Sequence, residues 1–233
     1  MEALREVACD GGVAASVRTS TVEGSARPVI QEYRLKRAFD FSLATLGLLV
    51  SFPFWLLIAC AIKLEDGGPV FYRQQRWGRG KKPFEVYKFR SMVGDADERF
   101  GTVQAEKNDG RFTRVGRFLR ATSLDEMPQL LNIWRGEMSW VGPRALPINE
   151  KQLNDTSDLP DDAIPGFDLR CAVRPGLTGI AQVFAPRDVP RRQKFRYDSF
   201  YVKRQSLGLD LKLILLSFWI SFRLRWEHRG PKI

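Results

Sequence analysis

Phe41-Ser-Leu-Ala-Thr-Leu-Gly-Leu-Leu-Val-Ser-Phe-Pro53-Phe-Trp-Leu-Leu-Ile-Ala-Cys-Ala-Ile62 runs 22 positions without a charged side chain. Basic residues flank it on both sides, with Arg34, Lys36 and Arg37 before it and Lys63, Arg73, Arg76, Arg79, Lys81 and Lys82 after it. The run is long enough to cross a bilayer. A crossing helix concentrates Lys and Arg on its cytoplasmic flank, and here neither flank can be assigned to the outside. Pro53 removes a backbone hydrogen bond in mid-run and kinks a helix there. Symmetric flanks and a central break point to a hairpin that dips into the membrane and returns to the side it left. Two alternatives stay open: a bent spanning helix, and a buried helix of a soluble core, for which Ser42, Thr45, Gly47 and Ser51 form a weak polar stripe. No small-residue cleavage pattern closes the run, so it is not read as a signal peptide.

The chain has 233 residues, enough for one ordinary domain plus a membrane segment. Its formal charge of +10 suits anionic lipid, a nucleotide-phosphate substrate or nucleic acid. Cys9, Cys60 and Cys171 have no pairing or metal-ligand spacing and read as reduced thiols. The single histidine, His228, lies in a basic tail. A mechanism must therefore do without a histidine base or a histidine-rich metal cluster. Covalent chemistry would have to come from carboxylates or hydroxyls.

Residues 1–30 lack aromatics and read as a disordered tail. Residues 31–66 form the membrane segment, led in by a short helix from Glu32 to Asp40 and ended by Gly67-Gly68-Pro69. Residues 67–225 read as a catalytic domain of interfacial helices and short strands, and 226–233 as a basic tail. Val70–Tyr72 and Phe84–Phe89 are expected strands about a turn at Gly78–Lys82. Asp95–Glu98 looks like the acidic first turn of a helix. Arg111, Arg114, Arg117 and Arg120 recur at period three, sweeping around one broad side of a helix that reads as solvated or as lying on headgroups. Asn154–Asp162 is an acidic loop. Leu213–Phe222 is an uncharged run too short to span.

The stretch Arg120-Ala-Thr-Ser-Leu-Asp125-Glu126-Met-Pro128 is the most informative after the apolar run. Ser123 and Glu126 match a capping box, and Asp125 as cap would place Pro128 in a first turn, so both carboxylates are expected at a helix N-terminus. A structural role explains that pattern by itself. A functional one is also available: Arg120 can hold phosphate, an Asp carboxylate can attack phosphorus, and a Glu beside it can hold Mg²⁺. Lys88-Phe-Arg90, Gly142-Pro143-Arg144 and Arg174-Pro-Gly fit a phosphate-handling surface, although such turns are commonly just turns.

Taken in order, these segments resemble the monotopic phosphoglycosyl transferases, bacterial polyprenyl-phosphate sugar-1-phosphate transferases. The match runs from about Arg34 to Leu216 through Lys36–Asp40, the Pro-broken run, Gly68–Arg76, Lys88–Met92, Gly116–Glu126, Val141–Arg144 and Arg174–Gly179. The resemblance implies an α/β, mostly helical fold with a re-entrant membrane helix hairpin and a small cytoplasmic catalytic domain. It also implies a site on the cytoplasmic face of the bacterial inner membrane, where Asp125 attacks a UDP-sugar, UMP leaves, and undecaprenyl phosphate takes the sugar phosphate. Glu126 would bind Mg²⁺ and share the catalytic work, with Lys88, Arg90, Arg120, Pro143, Arg144 and Arg174 on the substrates. The partners expected are a UDP-sugar, undecaprenyl phosphate and inner-membrane lipid, with a homodimer as the candidate oligomer and no nucleic acid. Two departures are visible. The membrane break is often Ser-Pro, whereas Phe52 precedes Pro53 and the serine is Ser51. The turn after Arg144 often continues with proline, and here it is Ala145. A glycosyl transferase releasing UDP and a non-enzymatic basic membrane module are the competing classes; release of UMP separates both from the first reading.

Overall fold

The computed structural model describes residues 30, 32–94, 109–148, 160–186, 189–224 and 226. The tail before residue 30, the expected acidic turn at 95–98, most of the acidic loop and nearly all of the basic tail lie outside the described residues. The apolar run sits inside helix α1 (Lys36–Asp66), 31 residues long with Pro53 in its interior. The lead-in expected from Glu32 is not a separate helix, because α1 starts at Lys36 and continues into the apolar run. Gly67 ends it in the left-handed region at φ 71°, returning its N–H to the Lys63 carbonyl. Glycine adopts that conformation without a Cβ penalty.

Strands β1 (Phe71–Trp77) and β2 (Pro83–Phe89) form an antiparallel hairpin over a tight turn at Arg79–Lys81, in a register pairing Phe71 with Phe89 and Trp77 with Pro83. Helix α2 (Arg114–Thr122) is capped by the Thr113 hydroxyl, which accepts from the Gly116 N–H. Gly116 has no substitute, since a Cβ there would lie 2.0 Å from the Ser91 carbonyl oxygen. A 3-10 turn at Leu124–Glu126 leads to α3 (Gln129–Arg135) and β3 (Ser139–Val141), which pairs in parallel with β4 (Gly176–Thr178). The rest is helical: α4 (Phe167–Arg170), α5 (Ile180–Phe184), α6 (Arg191–Arg204) and α7 (Leu207–Phe222). Leu130, Ile133, Trp140, Ile180, Tyr201 and Leu213 bring α3, β3, α5, α6 and α7 into one core. The fold is thus mostly helical, with a few short strands.

Both ends of α1 dock on this domain. At the first turn, the Lys36 ammonium reaches Asp210 of α7 at 2.6 Å, and Arg37 donates to the Ile133 and Trp134 carbonyls at 2.7 Å each. Asp40 accepts from the Ser139 hydroxyl and the Trp140 N–H. At the last turn, Glu65 accepts from the Arg114 and Val115 N–H groups at 2.6 and 3.1 Å, supplying the carboxylate that the first turn of α2 lacks. Asp66 beside it pairs with Arg90.

Between these ends α1 presents Leu46, Leu49, Val50, Phe52, Leu56 and Leu57 outward. Among the described residues it is the one helix long and apolar enough to cross a membrane, and only 11% of its most apolar window is buried. A soluble core helix would be mostly buried, so that alternative does not fit. Leu211, Leu215, Phe218, Trp219 and Phe222 of α7 are exposed in the same way. So large an exposed apolar surface is consistent with membrane localisation. The Ser51 hydroxyl donates to the Leu48 carbonyl at 3.4 Å and accepts from the Trp55 indole at 3.1 Å. The carbonyl that proline deprives of its partner is that of Leu49, four residues before Pro53. Ser51 therefore bonds one residue short of it.

Candidate active site

Ser123 closes α2 with φ 60°, its N–H returning to the Arg120 carbonyl. That left-handed turn redirects the chain, and no capping box forms, since Ser123 makes no side-chain cap bond to the 3-10 turn that follows. Asp125 is not a cap either. Helix α3 begins at Gln129 behind Pro128, where the missing N–H of proline costs no helical bond. Asp125 and Glu126 thus sit on the 3-10 turn ahead of α3.

Asn132 sets this turn against β2. Its side-chain amide donates to the Glu85 carbonyl at 2.7 Å, and its side-chain oxygen accepts from the Tyr87 N–H at 3.3 Å. Lys88 is the next residue on that strand, and its ammonium stands 2.7 Å from Glu126 Oε1 and 4.0 Å from Asp125 Oδ2. Arg144, just beyond β3, places Nη2 3.0 Å from the same Glu126 oxygen. Two cations from separate segments therefore converge on one carboxylate.

These charges set the acidities. Burial pushes Asp125 up, opposed by Lys88, reinforced by the Glu126 charge and opposed again by Arg120; the net direction is upward. Burial also acts to raise Glu126, but Lys88 and Arg144 outweigh it and hold that carboxyl well below the usual range. Adjacent carboxylates are thereby driven apart, Glu126 fixed as an anion and Asp125 made the more basic. Desolvation lowers Lys88, while Glu126 pulls the other way.

The pair lines a cavity of about 740 Å³, within the size range of small-molecule sites. Lys88, Arg90, Arg120 and Arg144 line it too, so most of the expected residues are brought together. Arg120 stacks on Phe112 at 4.6 Å, whereas Arg114 and Arg117 of the same period-three series face outward. Arg90 lines the cavity while pairing with Asp66. Pro143 is buried outside the lining, its carbonyl accepting from the Gly176 N–H, and it shapes the turn. Arg174 is not brought to the site. Its guanidinium is engaged by Glu32, and the segment behind it serves the β3–β4 pairing, where a Cβ on Gly176 would fall 2.0 Å from the Gly142 nitrogen. Three residues to which the sequence assigns no role in the site, Arg76, Arg170 and Asp198, also line the cavity. One wall comes from Gly47, Val50 and Ser51 of α1, and another from Ile214, Ser217 and Phe218 of α7.

Among the described residues no cluster of three or more carboxylate, histidine or cysteine side chains could cage a metal. Asp125 and Glu126 fit Mg²⁺ in its other habit, one or two carboxylates with substrate phosphates and water completing the shell. Glu126, fixed as an anion, is the better donor of the two.

The acid pair thus sits in a cationic cleft walled by two helices with exposed apolar faces. The chain belongs to the bacterial sugar transferase family, whose model matches residues 31–224. An exopolysaccharide production protein, PSS, from Rhizobium leguminosarum bv. phaseoli is 43% identical over 185 residues, covering 77% of this chain and 91% of that protein. The exopolysaccharide production protein ExoY of Rhizobium meliloti is 39% identical over 205 residues, 82% of this chain and 86% of the relative. The UDP-glucose:undecaprenyl-phosphate glucose-1-phosphate transferase of Escherichia coli K12 is 43% identical over 195 residues; the match covers 81% of this chain but 40% of that enzyme.

Proposed function

We propose that this protein transfers a sugar-1-phosphate from a UDP-sugar to undecaprenyl phosphate and releases UMP, as a first membrane step of exopolysaccharide, capsule or O-antigen synthesis. The observation that carries the reading is one cavity shared by Asp125, Glu126, Lys88 and Arg144 with the walls given by α1 and α7. A water-soluble donor and a lipid-borne acceptor can reach one nucleophile only at such a boundary. Relatives whose names state a UDP-glucose donor and an undecaprenyl-phosphate acceptor support the substrate classes.

The chemistry follows from the acidities. An Asp125 carboxylate oxygen attacks the β-phosphorus of the donor, the bond to the bridging oxygen breaks, and UMP leaves with that electron pair. A phosphate oxygen of the acceptor then attacks the same phosphorus and the Asp125 carboxylate departs. The raised basicity of Asp125 favours the first attack. Arg144 and Arg120 balance charge on the phosphates, and Lys88 keeps both carboxylates oriented. Glu126, with donor phosphate, would hold Mg²⁺, which supplies Lewis-acid neutralisation of phosphate charge when bound.

The same reading places the site on the cytoplasmic face of the inner membrane, with α1 re-entrant. Charged residues at both ends of α1 engage the one domain, Lys36 and Arg37 at its start and Glu65 and Asp66 at its end. Docking of both ends on one domain supports a re-entrant α1 over one that crosses. The deciding assay separates nucleotide products: membranes carrying this protein, given UDP-glucose and undecaprenyl phosphate, should release UMP. Release of UDP would instead assign a transferase of the bare sugar.

A further inference from the structure

The segment that carries Arg144 is held through four consecutive carbonyls, none of them bonded within the segment. Pro143 O accepts from the Gly176 N–H at 2.9 Å, and Leu146 O accepts from the Trp77 N–H at 2.9 Å. The two between them are held by arginine side chains: Arg144 O by Arg170 Nη2, and Ala145 O by Arg76 Nη1 at 2.8 Å. Both arginines are buried, and both are fixed from behind. Arg170 donates from Nε to Asp198 Oδ2 at 3.0 Å and lies 4.7 Å over the Phe195 ring. Arg76 donates from Nε and Nη2 to Gln74 Oε1 at 3.1 and 2.8 Å.

A buried carbonyl needs a donor, but a neutral amide would do. A buried guanidinium is a costly way to supply one and brings a planar, rigid fork. We infer that Arg76 and Arg170 are positioning residues, which clamp the two successive peptide units after Arg144 so that the Arg144 guanidinium meets Glu126 and the donor phosphate. The inference rests on the reading of Arg144 given under Proposed function. Without the clamp, two carbonyls lose their donors and their peptide units can rotate, which moves the guanidinium at the end of its long side chain. Misplacement of a catalytic group by about 1 Å is enough to cost on the order of 10²-fold in rate.

The test is a mutant cycle on the full-length protein in lipid nanodiscs, scored by UMP release from UDP-glucose with undecaprenyl phosphate. Arg170→Gln alone would take from Asp198 its hydrogen-bonded cation, so it is combined with Asp198→Asn. That paired variant should lose about 10²-fold in kcat/KM, and adding it to Arg144→Ala should cost nothing beyond Arg144→Ala alone. Arg76→Met, which leaves the Arg170–Asp198 pair intact, should behave alike in its own cycle with Arg144→Ala and decides the matter if the paired variant does not fold. Arg76→Lys, which keeps a charged donor, should recover most of the loss, a rescue that a mere stability defect would not track. Effects that multiply with Arg144→Ala, or wild-type kinetics in the clamp variants, would overturn the clamp and leave the reading of Arg144 standing. Wild-type kinetics in Arg144→Ala itself would overturn both.

Discussion

The ammonium of Lys88 and the carboxylate of Glu126 meet at 2.7 Å, and this contact favours the anion of one of two adjacent acids. Lys88 and Arg144 keep Glu126 ionised, and its charge in turn adds to the effect of burial in raising Asp125. Glu126→Gln removes that contribution. The acid limb of the pH–rate profile should then move to lower pH, even as the rate falls and the Mg²⁺ requirement rises. An acid limb that stays in place or moves upward would show that Glu126 does not tune Asp125.

Asp125 itself should trade stability for activity. Its folded pKa lies above the ordinary carboxyl value, so the folded state binds that proton more tightly than the unfolded chain does. The sign follows: its contribution to stability is present below the unfolded pKa and is lost as pH rises through the folded one. At neutral pH, Asp125→Asn should raise Tm, because the neutral amide removes a charge that burial disfavours. Activity should fall on the order of 10⁴-fold. Thermal melting across pH checks the first, and an Asn variant less stable than wild type at neutral pH would contradict it.

Much of this site could be read in the sequence because its members sit in short local patterns. Asp125 and Glu126 are adjacent, Lys88 ends a strand, and Gly67 marks the end of an apolar run. What could not be read depends on pairing across the chain. Arg174 and Arg90 looked equally fit for phosphate, yet Glu32 takes the first and Asp66 the second. Ser123 matches a capping box in sequence, and its left-handed backbone, set by how α2 meets the next turn, makes it a corner instead. Arg170 and Asp198 resemble surface charges in any local window. Arg76 did leave a signal. In β1 the alternation turns Tyr72, Gln74 and Arg76 to the better-covered side, so strand periodicity alone puts that arginine inward.

Metal dependence should be complete. Chelator should abolish UMP release and Mg²⁺ should restore it, because Asp125 and Glu126 with the substrate phosphates supply the hard oxygen ligands that Mg²⁺ takes. Full turnover in excess chelator would remove the metal from the account.

Topology offers a test independent of chemistry. Cysteines placed at Arg27 and at Lys82, in a background lacking Cys9, Cys60 and Cys171, should both resist an impermeant thiol reagent in intact cells. Pro53→Ala restores one backbone hydrogen bond in α1 and should allow part of the population to span, exposing the Arg27 position and weakening activity. The basic residues on both flanks oppose that flip, so a mixture is expected. Labelling at Arg27 with Pro53 intact would leave a bent spanning helix.

The claim that Asp125 carries the sugar phosphate is tested most directly by a single turnover without acceptor. Purified protein is mixed with UDP-glucose labelled at the β-phosphorus and with Mg²⁺, then quenched and digested. The account predicts a burst of about one UMP per active site, with label on the peptide containing Asp125 that is discharged when undecaprenyl phosphate is added. UMP that forms only once acceptor is present, with no label on that peptide at any time, would contradict it.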